Sequence, residues 1–294
     1  MAAVGVDTLR VGAECSVVNP SAEGWVVTRA FTEAGEAETR RRRRLDSGPV
    51  LDVIAGTAWV EASIPKWLEG DAVSVPVDRA VEVGGDWIDE ASEFVEWLDD
   101  PRVNRLDVVR DFEVGAGLDA GLVIGALSTI PVKGRKTKAH YRDPSRRDAQ
   151  TLHVRTKRSG MGRLYDKGRE SGRPELEGVV RFEAQERRRS LNGIELAALG
   201  EGTVERLGRR RFEWCGFDHR TSTLRGVIDR AMMLDDVGEG TRLQLVGYAA
   251  LLDAGFGGRL ERTRDYRLRR LLEDVGVPAP VDLVLDWDEG LIAA

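Results

Sequence analysis

The sequence is poor in the residues that thiol and imidazole chemistry require. Its three histidines, His140, His153 and His219, include no H-x-H pair, so a histidine-rich metal site is excluded. Its two cysteines, Cys15 and Cys215, lie far apart and without CxxC spacing. That excludes a disulfide framework and a zinc site, and it fits a reducing compartment. No apolar run approaches the ~20 residues that a membrane helix needs. The opening MAAVGVDTLRVGAE has no basic-then-apolar leader pattern. A soluble, cytoplasmic protein is expected. The motifs GxxxxGK[ST], HExxH and GxSxG are all missing. Gly115, Gly117 and Gly121 have one residue too many between them for a dinucleotide fingerprint, and no β-α-β alternation surrounds them. They read as a turn into a short helix over Leu122–Leu127.

What is present is apolar residue enough for a core, 41%, and an unusual amount of charge, 32%, at a net of only -6. The charge is unevenly spread. Lys133–Arg189 holds 18 Lys/Arg against 8 Asp/Glu, a net of +10 that leaves -16 for the rest. A basic band in an acidic chain points to a directed surface for a polyanion, with a solvated face as the bland alternative. A second basic run, Arg40–Arg44, has Gly and Ser nearby. It reads as a loop or hairpin arm, either binding a nucleic-acid backbone or merely solvated.

Strand patterns dominate the first two thirds. They fall at Gly24–Thr28, Val50–Ile54, Thr57–Ile64 and Asn104–Val114, and Pro65 ends the third. Asp86–Leu98 reads as an amphipathic helix. Helical patterns take over at Ser190–Leu207, Thr221–Leu234, Thr241–Leu252 and Leu260–Val275. This segregation predicts an α+β fold. The expected form is an antiparallel sheet with one exposed, basic, active face, helices on the other face, and a helical C-terminal third. The expected divisions are an N-terminal segment 1–50 with the basic loop, a β-rich core 51–189, and a helical region 190–294 that can be continuous with the core.

Thr151–Arg189 carries the chemistry. Three strands alternate there at period two. Leu152, Val154, Leu164, Val180, Phe182 and Ala184 take one face. Thr151, His153, Arg155, Arg163, Tyr165, Lys167, Arg181, Glu183, Gln185 and Arg187 take the other. A tyrosine is a weak nucleophile unless a cation stabilises its phenolate, and Arg163 and Lys167 flank Tyr165. A carboxylate site for Mg²⁺ or Mn²⁺ is compatible with the composition, because hard cations take oxygen ligands. Asp107 and Glu183 are the natural candidates and Glu61 a third. Asp111 is weaker, since four residues along a strand span ~13 Å. Surface ion pairs are the alternative for each carboxylate, and a sheet-edge packing role for Tyr165.

Several stretches resemble the rolling-circle replication initiators of phages and plasmids. VEASIPKWLEGDAV (Val60–Val73) is similar to a strand ending in S-[LI]-P-K followed by L-x-G. NRLDVVRDF (Asn104–Phe112) resembles an R-[IL]-D strand. TLHVRTKRSGMGRLYDKGRE (Thr151–Glu170) resembles T-L-Y-x-G-S-x-x-S…R-x-Y-D-K-x-x-E, and VRFEAQERRR (Val180–Arg189) resembles R-[IF]-E-x-x-x-R. The resemblance implies metal-dependent nicking of one origin strand and a tyrosine linked to the 5′-phosphate. It assigns the metal to Asp107 and Glu183, and charge neutralisation at the phosphate to Arg181, Lys167 and Arg163. DNA backbone contacts would fall to the basic band: Lys136, Arg155, Lys157, Arg158, Arg163, Arg187, Arg188 and Arg189. Origin DNA, host helicase and polymerase are the implied partners, with an oligomer compatible. One position departs from the pattern. His153 stands where the family has its first tyrosine, and Arg155–Thr156 replaces the Gly-Ser after it. The nucleophile is therefore Tyr165, or Tyr141 in the basic connector, or it is lost at His153. His153 itself then reads as a general base, a neutral space-filler, or the mark of a binding-only homologue.

Overall fold

The computed structural model describes residues 4–18, 20–21, 23–31, 37–68, 74–115, 118–132, 134, 136–142, 150–156, 160–219, 221–232, 234, 237–254, 267–268, 270–272, 280 and 282–293. They form an α+β fold, as the separated patterns predict. The strands are β1 (Gly5–Val17), β2 (Val26–Phe31), β3 (Ala37–Arg44), β4 (Val50–Ile54), β5 (Thr57–Ser63), β6 (Val95–Trp97), β7 (Arg102–Val114), β8 (Thr137–Arg142), β9 (Gln150–Arg155), β10 (Met161–Asp166), β11 (Val179–Arg187), β12 (Thr221–Ser222), β13 (Asp282–Asp286) and β14 (Leu291–Ala293). The helices are α1 (Ile64–Leu68), α2 (Val77–Ala91), α3 (Ala120–Ser128), α4 (Lys167–Ser171), α5 (Arg188–Leu191), α6 (Glu201–Cys215), α7 (Leu224–Met232) and α8 (Glu239–Asp253).

The sheet runs in the order β2-β3-β4-β5-β1-β7-β11-β10-β9-β8, antiparallel at each step. β14 adds to β7 in parallel, and β13 and β12 follow from it. Residues opposite one another across an antiparallel pair share a face. One face is apolar: Leu9, Leu106, Val108, Phe112, Leu152, Leu164, Phe182 and Ala184 are all buried in the main core. Helices α2, α3 and α6 pack on it. Its centre is an aromatic cluster of Phe112, Phe182, Phe212 and Trp287, with ring centroids 5.1–6.2 Å apart. Burying each such ring contributes roughly 1.5–3 kcal/mol. One ion pair is sealed within this face: Arg211 of α6 donates to both carboxylate oxygens of Glu186 on β11, at 2.7 and 2.8 Å. A smaller cluster joins Leu122 of α3 to Val227, Leu245 and Tyr248 of α7 and α8.

Four sequence expectations change. β1, unread as a strand, lies in mid-sheet between β5 and β7. A bulge between Val6 and Thr8 shifts its register, so the apolar phase runs Val6 then Leu9 and the period of two is lost to view. Of the two readings of Arg40–Arg44, the loop falls and the hairpin arm holds: the run lies in β3, paired antiparallel with β2 and β4. Arg40, Arg42 and Arg44 face one side, opposite Ile54, Asp52 and Val50. The amphipathic helix is Val77–Ala91, earlier than Asp86–Leu98. Its buried side is Val77, Ala80, Val83, Gly84, Trp87 and Ala91. A Cβ on Gly84 would lie 2.8 Å from Leu9 Cδ2, so glycine lets the helix sit on β1. Val95 and Trp97 alternate instead and pair with β1 as β6. The last third is not all helix, because β12, β13 and β14 lie in it. Most of the expected helix Leu260–Val275 lies outside the described residues.

Candidate active site

The second face of the sheet gathers the charged side chains. Register places Arg181 opposite Asp111 and Tyr165, Glu183 opposite Val109 and Arg163, and Gln185 opposite Asp107. Arg163 in turn faces His153, and Thr8 of β1 faces Asp107. Asp107 and Asp111 are thus the two diagonal neighbours of Glu183 on the adjacent strand, at backbone separations of about 7–8 Å. The alternation read from sequence assembles these groups as expected. Their centre is closed rather than open, however: Asp107, Arg181, Glu183 and Tyr165 are all buried.

Each carboxylate has an arginine. Arg105 grips Asp107 through Nε (3.0 Å) and Nη2 (2.5 Å) and reaches Glu61 through Nη1 (2.8 Å). Arg181 holds Asp111 with two bonds of 2.6 and 2.7 Å. Arg163 Nη2 donates to Glu183, while its buried Nε has no hydrogen-bond partner among the described residues. Burial pushes Asp107 up to about 6, against the pull of Arg105, and the nearby charges of Glu183 and Asp7 push the same way. Asp7 sits at the β1 bulge, and its Oδ2 accepts from Thr8 Oγ1 at 3.0 Å.

The donor chemistry here suits a hard divalent ion: carboxylate oxygens of Asp107 and Glu183, two strands side by side. Glu61 is not part of it. It lies opposite Arg10 on the far side of β1, three strand spacings (roughly 14 Å) from Glu183, and is bonded to Arg10 and Arg105. Among the described residues no three His, Cys, Asp or Glu side chains form a group able to hold a metal ion. Two carboxylates with retained waters would be a magnesium-like site.

Tyr165 lies beneath Arg163, whose guanidinium carbon is 4.5 Å from the ring centroid, with Lys167 Nζ at 5.9 Å. Burial and Glu183 hold its phenol well above the ordinary tyrosine range, and Arg163 and Arg181 pull less strongly the other way. Tyr141 differs. It is 51% exposed on the edge strand β8, its ring edge-on to His153 at 5.3 Å. Burial, then Arg163 and Arg155, lower the His153 pKa, so the imidazole is neutral at pH 7.

The remaining candidates scatter. Lys167 opens α4 and is tied to Glu170 at 2.8 Å. Arg155 is exposed at the end of β9. Arg187 bonds Gln185 at 3.0 and 3.2 Å, and Arg188 and Arg189 are exposed on α5. Lys136 turns the other way: it donates to the Trp214 carbonyl and sits 4.5 Å from the Trp214 ring, against α6. Lys157 and Arg158 lie outside the described residues. Sequence reading missed Asp7, because the bulge hid its strand, and it missed Arg10 and Trp59, treated below with Arg42 of the basic run.

The fold and this face define an α+β protein with a buried carboxylate–arginine–tyrosine cluster on the charged face of one antiparallel sheet. No family model and no curated protein matches the chain. Among solved structures it is similar to a rolling circle replication initiator protein from Geobacillus stearothermophilus, at a TM-score of 0.37 and 11% identity. That alignment covers 71% of this chain and 80% of the other. A likeness so distant fixes neither activity nor residues.

Proposed function

We propose that this chain is a rolling-circle replication initiator that nicks one strand of origin DNA through a tyrosine. The observation that carries the reading is the convergence of Asp107, Glu183, Arg163, Arg181 and Tyr165 on one sheet face. Those are the positions matched to the initiator motifs. Tyr165 Oη attacks phosphorus, the bond to the 3′ oxygen breaks, and that oxygen takes a proton from water as it leaves as a hydroxyl. The phenol proton passes to a base. Neutral His153, diagonal to Tyr165 on the adjacent strand, suits that role. Arg181 and Arg163 steady the charge that grows on the phosphate oxygens. Asp107 and Glu183 would hold a Mg²⁺ or Mn²⁺ ion, which when bound supplies charge neutralisation at the phosphate. Arg155 and Arg187–Arg189 fit DNA backbone contacts at the rim.

The test is incubation with a supercoiled replicon carrying the chain's own gene and Mn²⁺. The expected product is an open circle with protein bound at the 5′ end, lost in Tyr165→Phe. An adduct that survives Tyr165→Phe and disappears in Tyr141→Phe reassigns the nucleophile to the exposed edge tyrosine. A second reading, a DNA-binding homologue without nicking activity, is favoured by one observation, the burial of Tyr165 and the raised pKa of its phenol. It holds if DNA binding is salt-sensitive and no divalent ion yields an adduct.

A further inference from the structure

The other half of the charged face holds a cavity of about 350 Å³, within the ~300–1,000 Å³ range of ligand sites. Four arginines line it, Arg10, Arg40, Arg42 and Arg105, against the carboxylates of Asp52 and Glu61. Asp52 is engaged by Arg40, with a 2.8 Å bond from Nε. Arg42 only approaches it, its Nε 3.7 Å away and its side chain half exposed. Glu61 is shared by Arg10 and Arg105. Arg105 is also held by Asp107, so once Arg10, Arg40 and Arg105 are paired the lining carries one positive charge in excess, that of Arg42.

Trp59 gives the cavity an aromatic wall, opposite Asp52 on β4 and Gly12 on β1. A Cβ at Gly12 would lie 2.8 Å from Trp59 Cδ1 and 2.1 Å from the Ala58 carbonyl oxygen. Glycine there lets the indole lie close against β1, which fixes the ring in place. Guanidinium groups beside an immobilised indole are the elements of a single-strand nucleic-acid site: a backbone phosphate on the cation, a base on the ring. Arginines also lead from the cavity along the same face toward the candidate active site. Arg10 faces Arg105, and Arg105 faces Arg187, so a row of arginines crosses β1, β7 and β11. A free anion would not need such a row, and an acidic peptide would not need the indole.

We propose that this cavity is a single-strand DNA subsite, with Arg42 and Arg10 on a backbone phosphate and Trp59 stacked on the adjoining base. The proposal rests on the DNA-binding part of the function argued above, not on nicking. The experiment is fluorescence anisotropy with labelled dT10 in EDTA, where no metal-dependent cleavage occurs. Trp59→Leu should weaken binding about tenfold, within the range for one stacked base, and Trp59→Phe should restore most of it. Arg42→Gln should weaken binding and lower the log–log salt slope by about 0.7, one phosphate contact on a single strand. Wild-type affinity and slope in both Arg42→Gln and Trp59→Leu would overturn the proposal. So would absence of dT10 binding, or displacement of dT10 by dTMP or polyglutamate at matched charge. Binding that depends on Trp59 without any covalent adduct sinks the nicking reading alone. An adduct that forms while binding ignores both substitutions sinks the subsite alone.

Discussion

Strand β11 presents two arginine–glutamate pairs on its opposite faces, and they differ in what they can do. Glu186 faces the helices. Its side chain is fully buried and both its oxygens are taken by Arg211, itself 6% exposed. Glu183, three residues earlier, faces the charged side and is bonded by Arg163, which keeps a third of its side chain in solvent. The first pair is closed on every side and has no access to a ligand. The second has a partner that can rehydrate, next to a tyrosine and a second carboxylate. Composition does not separate the two. Which side of the pleat each residue takes does, together with what covers that side.

The comparison breaks if the two pairs respond alike to mutation. Arg211→Met leaves buried Glu186 with only the 3.9 Å approach of Arg210 and should cost about 3–5 kcal/mol in urea unfolding. Asp107→Asn is the next largest effect and has the opposite sign. With a folded-state pKa raised to about 6, Asp107 adds stability below its unfolded pKa of about 4, and that stability is lost as pH rises through about 6. The asparagine variant should be about 1–3 kcal/mol more stable at pH 7, and its unfolding free energy should be flatter between pH 4 and 6. A residue retained at such a cost fits a group kept for chemistry. Glu183→Gln should lose only about 1–2 kcal/mol, because Arg163 regains water, yet it should abolish the divalent-ion-dependent formation of the adduct. A loss equal to that of Arg211→Met would make both pairs structural. The smallest effect is expected at the rim. Arg155→Gln should leave melting unchanged and lower the salt slope of single-strand binding by about 0.7.

Much of this face was legible in the sequence because period-two alternation is local. Leu164 against Arg163 and Tyr165, and Phe182 against Arg181 and Glu183, sort to their faces without knowledge of any neighbour. What was not legible depends on partners distant in sequence. The bulge at Asp7 hid β1, and with it the strand that carries Arg10 and Asp7. The arginine run Arg40–Arg44 stayed open between loop and hairpin arm because five cations have no apolar phase. Its strand exists because β2 and β4 flank it and Asp52 meets Arg40. The matched carboxylates were found by motif, but only register shows that Asp107 and Glu183 are diagonal neighbours and that Glu61 is not.

The parallel addition of β14 to β7 has a kinetic consequence. Arg110 of β7 donates to the Asp288 carbonyl 178 residues away, and the Arg181–Asp111 pair spans 70. Contacts so remote in sequence close large loops before any gain is realised, which places a fold at the slow, millisecond-to-second end of the range. The strands that meet at the charged cluster come from segments far apart in the chain. An incompletely folded molecule would therefore present basic hairpins such as β3–β4 without an assembled reacting centre. On the function proposed above, affinity for DNA would come before the capacity to act on it, and competence would arise only when the sheet closes.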